Sequence, residues 1–309
     1  DEEFIKKNNL QKSVMTLINE EKAEKFYSKL KQGVEVAGGS VANSIVGFAS
    51  LSGKPAFIGK IKDDNLGKSF SKSLADNKVF YKTEPILEGP GTARCFIFVT
   101  PDAQRTMNTY IGACSLLSPK DIDEELVKNS KITYLEGYCW EEQLAKESLI
   151  KAAEIAHKAD NKVSLTLSDP FCVERHRNEF KDLIKKHIDI LFANEIEAKK
   201  LCQTENFDES IKEISEITEI AAITKSEKGA EICNGKEVIK IEPKIFGKVK
   251  DTTGAGDLFA AGFLYGLSKK FSVLKSGNIA SITAGEIISH FGARPEINLS
   301  DLIQKELKD

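Results

Sequence analysis

The sequence has no apolar run of the roughly 18 residues that a membrane-spanning helix needs. Its richest apolar stretch, Leu258 to Leu267, is interrupted by two glycines. Basic residues are not in excess either, because 44 Lys and Arg stand against 47 Asp and Glu and leave a formal net charge of −3. A polybasic membrane anchor and a basic coat for nucleic acid are therefore excluded.

Cysteine and histidine are scarce and scattered. None of the six cysteines forms a C-x-x-C pair, and the four histidines make no metal-like cluster with them. This pattern predicts free thiols in a reducing, cytoplasmic setting rather than a disulfide framework or a zinc site. The eight prolines are spread singly, and no repeat or Pro/Gly/Ser linker divides the 309 residues, which are enough to bury a large core.

Short β-rich runs alternate with amphipathic helical patterns over most of the chain. The candidate strands are Pro55–Lys60, Arg94–Thr100, Ile132–Leu135, Val163–Leu167, Ile188–Ala193 and Ile220–Thr224. The candidate helices are Glu141–Ala159, Gly254–Ser268, Ser272–His290 and Leu299–Leu307. Such alternation predicts an α/β fold in which crossover helices cover a mostly parallel central sheet.

Two regions depart from this alternation and look like hairpins, residues 1–37 and about 88–111. In the second, the turn Pro101–Gln104 separates two strand-like runs, of which the later is Arg105–Tyr110. We expect these regions to form a small β lid over a ligand crevice, beside an α/β core of about 38–87 and 112–309.

The stretch from Asp251 to Gly262 carries the strongest chemical signal. Gly254 and Gly256 flank Ala255 directly before an apolar helix, so the turn can aim backbone N–H groups at an anion near the helix N-terminus. Asp257 follows in the first helical turn, where a carboxylate can accept the proton of an attacking hydroxyl in phosphoryl transfer. The alternative is a glycine turn with Asp257 as a capping acid.

Two further loops precede helices. Gly38-Gly39-Ser40 leads to Asn43 and an amphipathic helix, and its simplest interpretation is a loop with Ser40 as N-cap. Asn194 with Glu197 follows an apolar strand. This spacing is typical of a capping box, although a metal or phosphate role is equally open.

Together these stretches resemble the ribokinase, or PfkB, family of carbohydrate and nucleoside kinases. Gly38 to Asn43 is similar to its N-terminal signature, Asp251 to Gly262 to its C-terminal D-T-x-G-A-G-D signature, and Asn194 to Glu197 to its N-x-x-E motif. The similarity covers essentially the whole chain. Gly91–Cys95 and Arg105–Ala113 most resemble the adenosine kinase-like branch. The family's fold is a three-layer α/β/α sandwich with a small β lid, which implies a single kinase domain over residues 1–309.

By matched position, the resemblance implies that Asp257 is the catalytic base and that Gly254, Ala255 and Gly256 form the anion hole. It puts Arg105 in the lid near the transferred phosphate, the alternative being an exposed turn arginine. The implied substrate residues are Gly38, Gly39 and Asn43, and the implied nucleotide residues are Asn194, Glu197, Thr224, Gly229, Gly254 and Gly256.

The resemblance also implies ATP and Mg²⁺, with Glu197 organising the metal through water. In some relatives a monovalent cation, K⁺, lies near the position of Asp251. One departure stands out, since Ser226 occupies the first glycine position of the nucleotide-side T-x-G-x-x-G pattern that runs from Thr224 to Gly229.

The expected activity is ATP-dependent phosphorylation of a primary hydroxyl on a nucleoside such as adenosine, by a monomer or homodimer without nucleic-acid or membrane partners. A ribose- or fructose-type sugar kinase and a catalytically silent nucleotide-binding protein are the alternatives. The family's first strand, which ends in a substrate-binding Asp, has no match. We expect about 15–25 further residues upstream to supply it.

Overall fold

The structure is a computed structural model that describes residues 2–8, 10, 15–29, 33–99 and 105–307. The strands are β1 (Met15–Leu17), β2 (Ala56–Phe57), β3 (Phe80–Tyr81), β4 (Arg94–Val99), β5 (Arg105–Tyr110), β6 (Ile132–Glu136), β7 (Lys162–Thr166), β8 (Ile190–Asn194), β9 (Ile220–Thr224), β10 (Ala230–Asn234) and β11 (Glu237–Ile241). The helices are α1 (Glu2–Lys7), α2 (Glu20–Lys29), α3 (Ser40–Ser50), α4 (Asn65–Asp76), α5 (Glu124–Lys128), α6 (Gln143–Lys158), α7 (Pro170–His187), α8 (Glu195–Cys202), α9 (Phe207–Ser215), α10 (Ala255–Ser268), α11 (Val273–Ile287) and α12 (Leu299–Glu306). In these ranges no helix has the length and apolar character to cross a bilayer.

The chain divides into two compact units. The larger unit takes in residues 38–58, 73–82 and 118–309, and the smaller one residues 1–37, 59–72 and 83–117. The larger unit contains a six-stranded sheet in the order β11-β10-β9-β8-β7-β6. Strands β6 to β9 are parallel, and β10 and β11 add an antiparallel edge. The predicted mostly parallel sheet is confirmed.

Alternating side chains of this sheet pack into two cores, because successive residues of a strand point to opposite faces. In β8, Ile190 and Phe192 pack with Phe263 of α10. Leu191 and Ala193 point to the other face, into the core that includes α6 to α9. Helices therefore cover both faces of the sheet, which gives the expected three layers.

The sequence located the parallel strands to within two residues at either end. It missed the hairpin of β10 and β11, whose register runs from Ala230 opposite Ile241 to Asn234 opposite Glu237. It also predicted too long a strand at Pro55–Lys60, where only Ala56 and Phe57 pair, with β3. Charged residues dilute the apolar alternation in β11, which explains why its strand signal was weak.

The smaller unit has a three-stranded sheet in the order β1-β5-β4. The predicted pair β4 and β5 is antiparallel, with Arg94 opposite Tyr110, and its turn 101–104 lies outside the described residues. Phe26 packs against Phe96 and Phe98 with ring centroids 5.6 and 5.3 Å apart. This aromatic contact fixes α2 on the sheet.

The prediction of a hairpin over residues 1–37 was wrong. The region holds the helices α1 and α2, and its strand β1 pairs in parallel with β5. Residues 20–29 are rich in Glu and Lys, which favour a helix, and Ala23 and Phe26 place a buried pair three residues apart on one face. Helical spacing thus prevailed over the strand-like run that precedes it.

Candidate active site

A left-handed glycine begins α10. Gly254 has φ 82° and serves as N-cap without a side-chain bond. A Cβ atom at this position would lie 2.9 Å from the Cα atom of Ala293, so only glycine fits. A Cβ at Gly256 would meet open space. The first N–H groups of α10 have no intrahelical acceptor, and Gly256 borders free volume, which suits the predicted anion hole. The N–H of Ala255 already donates to the carbonyl of Thr252 at 3.2 Å.

The carboxylate of Asp257 is held by the first turn of another helix. The hydroxyl of Ser40 donates to Oδ1 at 2.7 Å, and Nδ2 of Asn43 donates to Oδ2 at 2.9 Å. The proposed cap roles do not apply, because the N-cap of α3 is Gly39 and neither helix has a side-chain cap. The two signature loops thus meet at one carboxylate.

The close approach of α3 and α10 depends on Gly47. A Cβ atom there would collide with Cδ1 of Leu258 and lie 3.1 Å from Cβ of Ala261. At the start of α3, Gly39 has φ 106°, a conformation that favours glycine, and a Cβ at Gly38 would meet open space. In the predicted substrate loop, the backbone conformation therefore restricts position 39 to glycine, whereas Gly38 borders free space.

Burial raises the pKa of Asp257 to about 6, although Asn43 and Ser40 act against the rise by donating to its ionised form. Sequence reasoning missed a second acid, Glu136, at the carboxyl end of β6. Burial and the nearby charge of Asp257 raise the pKa of Glu136 to about 7, while the backbone N–H of Val41 lowers it. A single glutamate at a strand end has no distinctive spacing, so the sequence offered no signal for it.

The neighbouring strand ends bring more acids to the same edge of the sheet. Burial and the charges of Asp169 and Glu197 raise the pKa of Tyr138, with smaller effects from Glu136 and Asp257. Asp169 itself caps α7 by accepting from the N–H groups of Phe171 and Cys172 at 2.8 and 3.3 Å. This edge is where ligands bind in open α/β sheets.

The capping-box interpretation of Asn194 and Glu197 is confirmed. Oδ1 of Asn194 accepts from the N–H of Glu197 at 2.9 Å, and the Glu197 carboxylate accepts from the N–H and Nδ2 of Asn194 at 2.9 and 2.6 Å. Burial raises the pKa of Glu197 to about 7. Both carboxylate oxygens are already engaged, which suits a metal held through water rather than directly. The metal role stays a prediction.

Thr224 lies beside Asn194 in the register of β8 and β9. The following turn closes with the N–H of Lys225 donating to the carbonyl of Gly229 at 2.8 Å. Ser226 has φ 52°, in the left-handed region, which explains physically why relatives carry glycine there. Gly229 is required, since a Cβ would collide with the carbonyl oxygen of Ile241.

Asp251 joins two loops near the start of α10. Oδ1 accepts from the N–H and hydroxyl of Thr253 at 2.9 and 2.7 Å, and Oδ2 accepts from the N–H of Gly292 at 3.2 Å. In the described part of the chain, no group of three or more acidic, histidine or cysteine side chains is arranged to hold a metal. Arg105 begins β5, and its side chain lies outside the described residues.

A glycine-led helix start beside a buried carboxylate, at the carboxyl edge of an α/β sheet, has the features that phosphoryl transfer requires. The chain belongs to the pfkB family of carbohydrate kinases, whose model matches residues 13–298. It is accordingly an ATP-dependent small-molecule kinase with the ribokinase-like fold.

Solved and curated relatives agree on the class and differ in substrate. An adenosine kinase structure from Sinorhizobium meliloti is 41% identical with a TM-score of 0.95, covering 99% of this chain and 94% of the other. A probable sugar kinase from Rhizobium etli CFN 42 is 42% identical with the same TM-score, covering 99% and 93%. A 5-dehydro-2-deoxygluconokinase from Bacillus thuringiensis is 25% identical, covering 88% of this chain and 86% of the relative.

The raised pKa of Glu136 predicts a pH-dependent stability. Its folded pKa of about 7 exceeds its ordinary 4.5, so the folded protein binds the extra proton and loses stability as pH rises through about 7. Glu136→Gln cannot ionise and should gain about 1–3 kcal/mol in unfolding free energy relative to the parent between pH 5 and pH 8. Urea unfolding at both pH values measures this.

Glu147→Gln, at an exposed position on α6, is the matched control and should show no such pH-dependent gain. The raised pKa would be contradicted if the unfolding free energies of Glu136→Gln and the parent differed by the same amount at pH 5 and at pH 8.

Proposed function

We propose that the protein transfers the γ-phosphate of ATP to a primary hydroxyl of a nucleoside of the adenosine type, with Asp257 as the base. The proposal rests on the Asp257 carboxylate, which accepts hydrogen bonds from Ser40 and Asn43. At this carboxylate the glycine-led starts of α3 and α10 meet. This carboxylate lies in the first turn of α10, beside the open backbone at Gly256.

Each part of this arrangement has a role in the transfer. The N–H groups of Gly254, Ala255 and Gly256 receive the charge of the moving phosphate, assisted by the positive end of the α10 dipole. Asp257 takes the proton of the attacking hydroxyl. A pKa of about 6 keeps most of this carboxylate ionised at pH 7 and basic enough to accept that proton.

The nucleotide would bind along the carboxyl ends of β8 and β9, where Asn194 and Thr224 are adjacent, and at the tight turn that ends at Gly229. Mg²⁺ keeps several waters and takes one or two carboxylates plus substrate phosphates, a role that the buried Glu197 fits. When bound, the metal neutralises phosphate charge.

Three further roles extend the proposal. Arg105 would contact the transferred phosphate. Gly38, Gly39 and Asn43 would bind the acceptor, since Gly38 borders open space and Asn43 belongs to the same first turn as Ser40. A K⁺ ion near Asp251 would stabilise the loops that this carboxylate joins.

The proposed acceptor rests on the similarity to relatives. The adenosine kinase of S. meliloti, at 41% identity over 99% of this chain, supports a nucleoside. The probable sugar kinase of R. etli favours a sugar as the second candidate.

Asp257→Asn should keep ATP binding but lower kcat about 10²–10⁴-fold, because the amide cannot accept the proton. Purified protein is offered adenosine, other nucleosides, ribose and fructose with ATP, and ADP release is followed. Calorimetry reports ATP affinity. Asp182→Asn, an exposed acid on α7, is the control. Near-parent turnover in Asp257→Asn would remove the base role, and turnover with sugars alone would replace the nucleoside.

Glu197→Gln separates the two roles of the capping box. As a metal-organising residue it should raise the Mg²⁺ concentration needed for half-maximal turnover, because one negative charge is lost. As a cap alone it should cost only about 0.5–2 kcal/mol of unfolding free energy. Asp121→Asn is the matched control, since Asp121 forms the same box with Ser118 in another loop. Equal Mg²⁺ requirements in both variants would leave Glu197 a cap.

A further inference from the structure

Arg294 was not singled out by any motif, yet it reaches the proposed site. It lies in the segment between α11 and α12, whose backbone is fixed on both sides of it. The N–H of Gly292 donates to Oδ2 of Asp251, and the N–H of Glu296 donates to Oε1 of the buried Glu286, each at 3.2 Å. The segment is therefore held in one place, and Arg294 with it.

The guanidinium of Arg294 is built into the protein without an acidic partner among the described residues. Its Nη1 donates to Oγ of Ser73, and its Nε lies 3.5 Å from Oδ1 of Asn43, a long hydrogen bond. Its Nη2 is buried and has no hydrogen-bond partner in the described part of the chain. A buried, unmatched N–H group is costly and rarely retained without a function. Because Nη2 is shut off from solvent, a direct contact with a ligand is not the role that this geometry favours.

Asn43 is the residue through which Arg294 can act. The residue is 5% exposed, and its carboxamide has two possible orientations. In the observed one, Nδ2 donates to Asp257 and Oδ1 faces Arg294. In the flipped one, Oδ1 would face Asp257 and could bond only to its protonated form, while the amide N–H₂ would meet the N–H groups of Arg294. The guanidinium therefore selects the orientation that favours the ionised carboxylate.

We propose that Arg294 is a positioning residue, which fixes the side-chain amide of Asn43 so that it donates to the carboxylate of Asp257. The catalytic part of this inference rests on the proposed base role of Asp257. The contacts that link Arg294, Asn43 and Asp257 can be tested without any substrate.

Other groups also face Asp257 and must be considered in a pH experiment. Ser40 donates to it from α3. From β6 and the turn that follows it, Glu136, Tyr134 and Tyr138 interact with its charge. None of the hydrogen bonds described for Arg294 involves these four residues, so its replacement should affect Asp257 through Asn43.

Carbon-13 NMR of Asp-labelled protein tests the proposal without a substrate. The side-chain signal of Asp257 is assigned by its absence in Asp257→Asn. Arg294→Met should raise the titration midpoint of Asp257 by about one pH unit, which is a tenfold change in the ionised fraction at a pH below the midpoint. Arg294→Lys keeps the charge without the Nε–H group and should show a similar rise. Arg177→Met, which removes a guanidinium bonded to the Lys200 carbonyl, should leave the midpoint unchanged.

A double-mutant cycle identifies the route. Asn43→Ala should raise the midpoint by itself, and adding Arg294→Met should then give no further rise. An unchanged midpoint in Arg294→Met, a full rescue by Arg294→Lys, or an additive rise in the double variant would overturn the proposal. Loss of the base role would show separately, as turnover retained by Asp257→Asn.

Discussion

The carboxylate of Asp257 accepts hydrogen bonds from Ser40 and Asn43, which lie 217 and 214 positions earlier in the chain. Burying an ionised carboxylate without donors is strongly unfavourable, and each hydrogen bond to a charged group offsets about 1.5–3 kcal/mol. This contact ties the starts of α3 and α10 together, and Gly47 allows the helices to come close enough to form it. The fold and the proposed chemistry therefore depend on the same pair of bonds.

Helix capping shows how these two helix starts differ from most of the others. Eight other helices begin with a side chain that accepts from their first N–H groups: Asn19, Asp64, Asp123, Asp169, Asn194, Asn206, Ser272 and Asn298. The helices α3 and α10 begin with Gly39 and Gly254 and have no such cap, and α6 also lacks one. A missing cap costs about 0.5–2 kcal/mol relative to a good one, and it leaves the first N–H groups of the helix without a side-chain acceptor. At α3 and α10, the stability that most other helix starts receive from a side chain is given up where a ligand would supply it.

The sequence revealed the site residues whose backbone conformation restricts the residue type. It did not reveal those that matter only because the tertiary fold brings them to the site. Gly39, Gly254 and the N-x-x-E box have recognisable spacing because a left-handed turn or a capping box restricts the residue type. The parallel strands were found because their apolar runs are continuous. Glu136 and Arg294 carry no such restriction, since a strand end or a loop accepts many residues and only the tertiary fold brings them to α3. The hairpin prediction over residues 1–37 was wrong because a strand-like run and a helical spacing lie next to each other there, and local patterns do not show which one prevails.

The central claim is that a buried, ionisable Asp257 takes the acceptor's proton. The pH dependence of kcat/KM, measured from pH 5 to pH 8 with an acceptor that the protein phosphorylates, tests it most directly, because this ratio reports the pKa of the free enzyme. The account predicts that kcat/KM falls tenfold per pH unit on the acid side, with a midpoint near 6, the raised pKa of this carboxyl. A rate that stays constant down to pH 5 would contradict it, because an Asp257 that is protonated there cannot act as the base.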